Sequence, residues 1–68
     1  MSLNWESTYA IALELQRQHP DADLEGVSLP QIQHWTLALS DFEDDLALVN
    51  DDILLAIFQD WFEENMYG

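Results

Sequence analysis

The chain has 68 residues and a formal net charge of −13, because 14 Asp and Glu side chains face a single Arg and no Lys. Such a length excludes more than one domain, and such a charge repels nucleic-acid phosphates and anionic lipid. Hydrophobic residues make up 49% of the chain and include three Trp, which is enough for a small core. We therefore expect one folded domain over residues 1–68 and a partner that is a cation or a basic protein surface.

The chain contains no cysteine, which excludes disulfides, a thiolate nucleophile and a cluster held by thiolates. The first residues carry no basic leader, and the longest apolar run, residues 53–58, is too short to cross a bilayer. We expect a soluble, cytoplasmic protein that has no targeting segment and does not bind membranes.

The first helix is predicted over residues 7–18. Ile11 and Leu15 repeat at helical spacing, Ser7 or Thr8 serves as N-cap, and Pro20 forces a stop. Trp5 precedes this helix, where it either packs as a staple against it or stays partly exposed.

A second helix is predicted after the turn-rich segment 19–26. Ser28 and Gln31 form a capping-box pattern with Pro30 in the first turn, so we expect the helix to run through Leu39. The apolar residues expected on one face of this helix are Ile32, Trp35 and Leu39.

A dense acidic segment, residues 41–45, separates this helix from the third and is predicted to be a loop with Phe42 packed on the core. Asn50 is the predicted N-cap of the third helix, with Asp51 and Asp52 at the positive end of its dipole. The residues expected on its buried face are Ile53, Leu54, Ile57, Phe58 and Trp61.

Three short helices, with at most a short extended piece at 27–29, predict an all-α domain of helix-turn-helix or winged-helix type. A DNA-binding helix-turn-helix carries a basic recognition surface. This chain has one Arg and no Lys, so we expect no nucleic-acid binding whatever the topology.

Carboxylate oxygens are ligands for hard and borderline cations, including Fe²⁺. A solvated acidic face and a loose carboxylate patch that binds metal both remain open from the residues alone. An EF-hand is not expected: an acidic spacing starts at Asp41, but Leu46 stands where the loop needs Gly, and Asp52 stands where a bidentate Glu is usual.

Catalysis is not expected, because paired carboxylates need a pocket that drives their pKa values apart, and so short a chain has little room for one. His19 and His34 are interpreted as surface or packing residues. Trp35 and Trp61 are interpreted as core residues.

The order of these features resembles the IscX family, also called YfhJ, of bacterial iron–sulphur cluster assembly. The resemblance covers residues 3 to about 64, and its motifs are Leu3-Asn4-Trp5, His19-Pro20-Asp21-x-Asp23, Val27, His34-Trp35, Leu39-x-Asp41-Phe42-Glu43-Asp44-Asp45, Asn50-x-x-Ile53-Leu54-x-Ala56-Ile57 and Trp61. The chain departs from the family at His19, where Tyr is frequent, and at Leu46, where Pro is frequent.

The resemblance implies a winged-helix-like domain that docks on the cysteine desulfurase and binds iron weakly and exchangeably, as an adaptor, regulator or candidate iron donor. Carried onto this sequence, the implied iron ligands are Asp41, Glu43, Asp44, Asp45, Asp21 and Asp23. The implied partner-binding residues are Asp41, Glu43, Asp44, Asp45, Asp51 and Asp52. We expect a monomer; the alternative is a generic acidic interaction module, such as a nucleic-acid mimic, without a metal role.

Overall fold

Three α-helices form the chain in the computed structural model, which describes residues 2–67 and the side chains of residues 2–66. The elements are α1 (Thr8–Gln18), α2 (Leu29–Leu37), a 3-10 turn (Leu46–Leu48) and α3 (Asp51–Tyr67). The predicted all-α class is confirmed. Within residues 2–67, no helix is both long enough and apolar enough to span a membrane.

The β pairing within residues 2–67 is one isolated parallel bridge between Leu3 and Phe42. The short extended piece that the sequence allowed at 27–29 therefore does not form a strand. Ser28 does have an extended backbone (φ −101°, ψ 160°), but it caps α2, which begins at the next residue and leaves no strand to pair. No β-hairpin wing is present in the described part of the chain, so the winged-helix detail is not confirmed.

The predicted start of α2 is confirmed, because the Gln31 N–H donates to Ser28 Oγ at 3.3 Å. Its predicted end at Leu39 is wrong, since α2 ends at Leu37. The Leu39 N–H donates to the Thr36 carbonyl (3.1 Å), which tightens the last turn. The chain leaves the helix there, and the Leu39 side chain is buried in the core.

The start of α3 is also confirmed, because the Ile53 N–H donates to Asn50 Oδ1 at 2.9 Å. The corresponding position of α1 is Ser7, whose side chain makes no capping bond. α1 nevertheless ends at Gln18, two residues before Pro20, as predicted.

The core lies where α1 and α3 pack against each other, with α2 packed mainly on α3. The buried apolar residues are Trp5, Ile11, Ala12, Leu15, Leu24, Ile32, Leu39, Leu54, Ile57 and Trp61. Trp61 is thus a core residue, as predicted, and its indole N–H donates to Gln16 Oε1 (2.8 Å). Trp35 is only half-buried: its ring meets Trp61 edge-on at 6.0 Å and stacks on His19 at 4.0 Å.

The Asn50 cap can be tested against Ser7 as a matched position. Asn50→Ala removes a side-chain acceptor from the α3 N-terminus, so we expect the free energy of unfolding to fall by about 1 kcal/mol. Ser7→Ala should cost less than half as much, because Ser7 caps no N–H. Urea unfolding followed by circular dichroism measures both values, and equal losses would contradict the assignment.

Candidate functional site

Residues 41–45, called the acidic loop from here on, are held by the segment 3–5. The Leu3 N–H donates to the Asp41 carbonyl (2.7 Å), and the Glu43 N–H donates to the Leu3 carbonyl (2.8 Å). These two bonds form the isolated bridge on either side of Phe42. The predicted loop conformation is confirmed, and the backbone of this loop is fixed at several points.

Trp5 makes two further hydrogen bonds to the acidic loop and one ring contact. Its backbone N–H donates to Asp44 Oδ2 (3.0 Å), and its indole N–H donates to the Asp45 carbonyl (2.9 Å). The Trp5 side chain is 2% exposed, and its ring meets Phe42 edge-on at 4.6 Å. Trp5 is therefore buried in the core and not partly exposed, and Phe42 packs on the core as predicted.

Two of the acidic side chains are bonded to the backbone of the loop itself. Asp44 Oδ1 accepts from the Asp45 N–H (2.7 Å), while its other oxygen accepts from Trp5. Asp45 Oδ1 accepts from the Ala47 N–H (2.9 Å) and so caps the 3-10 turn. Asp44 and Asp45 therefore shape the loop, which is a typical use of Asp beside a turn.

Asp41 and Glu43 flank the inward-facing Phe42, and both are exposed. Asp51 and Asp52 are also exposed, and they lie in the first turn of α3, where the helix dipole favours negative charge. Asp44 and Asp45 are exposed too, but their oxygens accept from backbone N–H groups, so these four side chains are the carboxylates of the predicted site with more capacity left for a partner.

Asp21 and Asp23, the other predicted ligands, lie in the exposed turn before α2. Asp23 Oδ1 accepts from the Glu25 N–H (3.1 Å), which is again a local turn bond. Across the described residues, no three His, Asp or Glu side chains come together in an arrangement that could hold a metal ion. The predicted ligands are thus not assembled into one set, and iron binding stays a prediction.

The two histidines differ in environment. The His19 ring is half-buried and stacks on Trp35 with an interplanar angle of 18°. His34 is exposed on α2. His19 is therefore a packing residue, one of the two roles predicted for it.

Arg17 is the chain's sole basic side chain of the Lys/Arg type, and it lies on α1. Its guanidinium donates to Glu14 at 2.7 Å. This hydrogen bond lowers the pKa of Glu14, and it raises the pKa of Arg17, with a smaller contribution from the negative charge of Asp41. Because the pair is exposed and local to α1, it neutralises little of the loop's charge.

The fold and the loop together define a small acidic helical protein with a rigid carboxylate-bearing surface. The sequence model of the family described as iron–sulphur cluster assembly matches residues 3–66. The chain is also similar to an uncharacterized protein of Pseudomonas aeruginosa, with 33% identity over 64 residues, which are 94% of this chain and 97% of that protein. The chain belongs to the IscX/YfhJ family, a family of assembly factors and not a known catalytic one.

The bonds from Trp5 to the acidic loop were not predicted from the sequence. One local signal was available, since paired Asp residues directly before Leu46 are typical of a side-chain-capped turn. Nothing local indicated that a backbone N–H some 39 residues away would complete the bonding of Asp44.

Asp44 and Glu43 offer a matched test of these roles. Asp44→Asn leaves one acceptor oxygen for two N–H donors, so we expect the free energy of unfolding to fall by about 1 to 2 kcal/mol. Glu43→Gln removes the same charge from an exposed side chain and should change it by less than about 0.5 kcal/mol. Urea unfolding at constant salt separates the two, and an Asp44→Asn variant as stable as Glu43→Gln would show that the Trp5 bond contributes nothing.

Proposed function

We propose that this protein is a non-catalytic adaptor of iron–sulphur cluster assembly that docks its acidic loop on a basic surface of the cysteine desulfurase. The observation that carries the proposal is the exposed pair Asp41 and Glu43 on a loop whose backbone is fixed by residues 3–5. The desulfurase itself is the partner that the family resemblance implies.

Charge supports this choice of partner surface. The net charge of −13 attracts a basic patch at long range, raises the rate of encounter and disfavours acidic partners. A fixed loop loses little conformational entropy on binding, so more of the electrostatic attraction is retained as affinity.

The acidic residues have different roles in this proposal. Asp41 and Glu43 contact the partner directly, and Asp51 and Asp52 add charge from the start of α3. Asp44 and Asp45 act indirectly, because their oxygens are already bonded to backbone N–H groups that shape the loop.

Docking of this kind acts on the desulfurase by occupying its basic patch. An acidic adaptor on the basic patch excludes other acidic proteins from the same patch and thereby changes the rate at which the desulfurase delivers sulfur. Because the chain has no cysteine, it accepts no sulfur as a persulfide on a thiol of its own.

In this proposal the protein also binds iron weakly, as a cargo that it releases. Asp41 and Glu43 supply oxygen ligands suited to Fe²⁺, and water completes the coordination. Since three protein donors are not gathered anywhere in the described residues, binding by these side chains is weak and fast to exchange. That property suits release to a recipient better than storage.

The docking proposal is tested by calorimetry with purified cysteine desulfurase at about 50 mM and about 500 mM salt. We expect a 1:1 complex that weakens at high salt. The double variant Asp41→Asn, Glu43→Gln should lower affinity by roughly tenfold at low salt, because it removes two charges from the contact.

The matched control is Glu25→Gln with Glu64→Gln, which removes the same charge elsewhere and still leaves an acceptor for the Tyr9 hydroxyl that bonds Glu64 at 3.1 Å. This control should bind nearly as the unchanged protein does. Equal losses in both double variants would show that overall charge, and not the acidic loop, drives binding. Equally tight binding to a basic DNA-binding protein run in parallel would select the generic acidic module instead.

Iron binding is tested by anaerobic Fe²⁺ titration followed by ¹H–¹⁵N NMR. We expect paramagnetic broadening centred on residues 41–45, which the Asp41→Asn, Glu43→Gln variant abolishes and the Glu25→Gln, Glu64→Gln control retains. Broadening spread evenly over all acidic segments, or unchanged in the first variant, would count against iron as cargo of this loop.

A further inference from the structure

Helix α3 has a second apolar face, largely exposed, beside the face that fills the core, and only Phe58 of this second face also packs on the core. Leu55 is 45% exposed, Phe62 39% and Met66 59%, and Phe58 is half-buried beside them. Viewed down the axis of α3, with about 100° between consecutive residues, these four positions fall within an arc of about 80°. This α3 apolar strip (Leu55, Phe58, Phe62 and Met66) is centred about a third of a turn from the buried Leu54, Ile57 and Trp61.

The strip is shaped to receive a side chain. The Phe58 and Phe62 rings lie 6.1 Å apart with an interplanar angle of 30°, so they form one continuous aromatic surface. They border an open groove of about 370 Å³ whose other walls are Gln59 and Glu63. A strip along about three helical turns matches the length over which an amphipathic helix makes contact.

We propose that the α3 apolar strip is a docking surface for a basic amphipathic helix of a partner protein. Apolar side chains of that helix would lie on Phe58 and Phe62, and its flanking Lys or Arg side chains would meet the acids beside the strip.

Charge favours a basic helix over a second copy of the chain or an anionic membrane as the occupant of the strip. Asp51 lies on the same face of α3 as the strip, at its N-terminal end. Asp52 and Glu63 lie along one edge of the strip, and all three side chains are exposed. A second copy of the chain would bring another charge of −13 to this face, and an anionic membrane would be repelled in the same way. A helix with an apolar face flanked by cations satisfies both the aromatic surface and its acidic edge.

The proposal uses none of residues 41–45 and shares only Asp51 and Asp52 with the docking proposal. Failure of desulfurase docking would leave the strip unaffected, and failure at the strip would leave the loop unaffected.

The probe is a fluorescein-labelled helical peptide of Leu and Lys about 15 residues long, with leucines at helical spacing, beside a scrambled peptide of identical composition. Fluorescence anisotropy at about 150 mM salt gives both affinities. We expect the amphipathic peptide to bind roughly tenfold more tightly, because only it joins charge with an apolar face. In ¹H–¹⁵N NMR its shift changes should centre on residues 55–66.

Phe62→Gln and Leu13→Gln are the matched variants, since Phe62 and Leu13 are each 39% exposed and Leu13 lies on α1. Phe62→Gln should weaken the amphipathic peptide by roughly tenfold and Leu13→Gln by less than about twofold. Met66→Gln is the second strip variant, and at 59% exposure it leaves the fold intact. It should also weaken the peptide.

Several results would overturn the proposal. Equal binding of the two peptides would assign the attraction to charge alone. Shift changes centred on residues 41–45, or equal losses in Phe62→Gln and Leu13→Gln, would place the contact elsewhere. Sedimentation that shows a dimer dissolved by Met66→Gln would make a second copy the occupant, and tighter binding to anionic vesicles than to the peptide would make it a membrane.

Discussion

The pairing of residues 3–5 with the acidic loop is the contact on which the functional surface depends. Four carboxylates in five residues repel one another and would favour an expanded loop. Here the repulsion is opposed by two backbone bonds at Leu3, two bonds donated by Trp5, and burial of the Trp5 and Phe42 rings. The 3-10 turn begins directly after this loop, where Asp45 caps it, and α3 begins at Asp51.

Two kinds of acidic residue result from this contact. Asp44 and Asp45 direct oxygens at backbone N–H groups, and their charge is partly compensated by those donors. Asp41 and Glu43 flank Phe42 and are exposed, as Asp44 and Asp45 are, but no hydrogen bond among the described residues uses their carboxylates. In a member of an iron–sulphur cluster assembly family, such a surface is consistent with an adaptor that recognises a basic protein. We therefore expect a substitution at Asp44 or Asp45 to affect folding, and one at Asp41 or Glu43 to affect the proposed recognition.

The exposed α3 apolar strip and the negative charge of the chain have opposite effects on self-association. Exposed aromatic surface promotes self-association in most small proteins. In this chain a net charge of −13 opposes it, because two copies repel each other before their strips can meet. In the proposed docking, the same charge would attract a basic partner to the strip.

The sequence alone determined the helical class, the N-caps of α2 and α3, the buried face of α3 and the acidic loop, because each depends on residues that are neighbours along the chain or on one helix face. It also carried the family resemblance. Three features needed the tertiary structure: the burial of Trp5, the early end of α2 that brings Leu39 into the core, and the bonding of Asp44 by Trp5. Each depends on groups that are distant in sequence or on how the core is filled, and local propensity contains no information about such contacts. Phe58, predicted on the buried face of α3, is only half-buried and belongs also to the second apolar row, because the packing of α1 and α2 decides how far each row is covered.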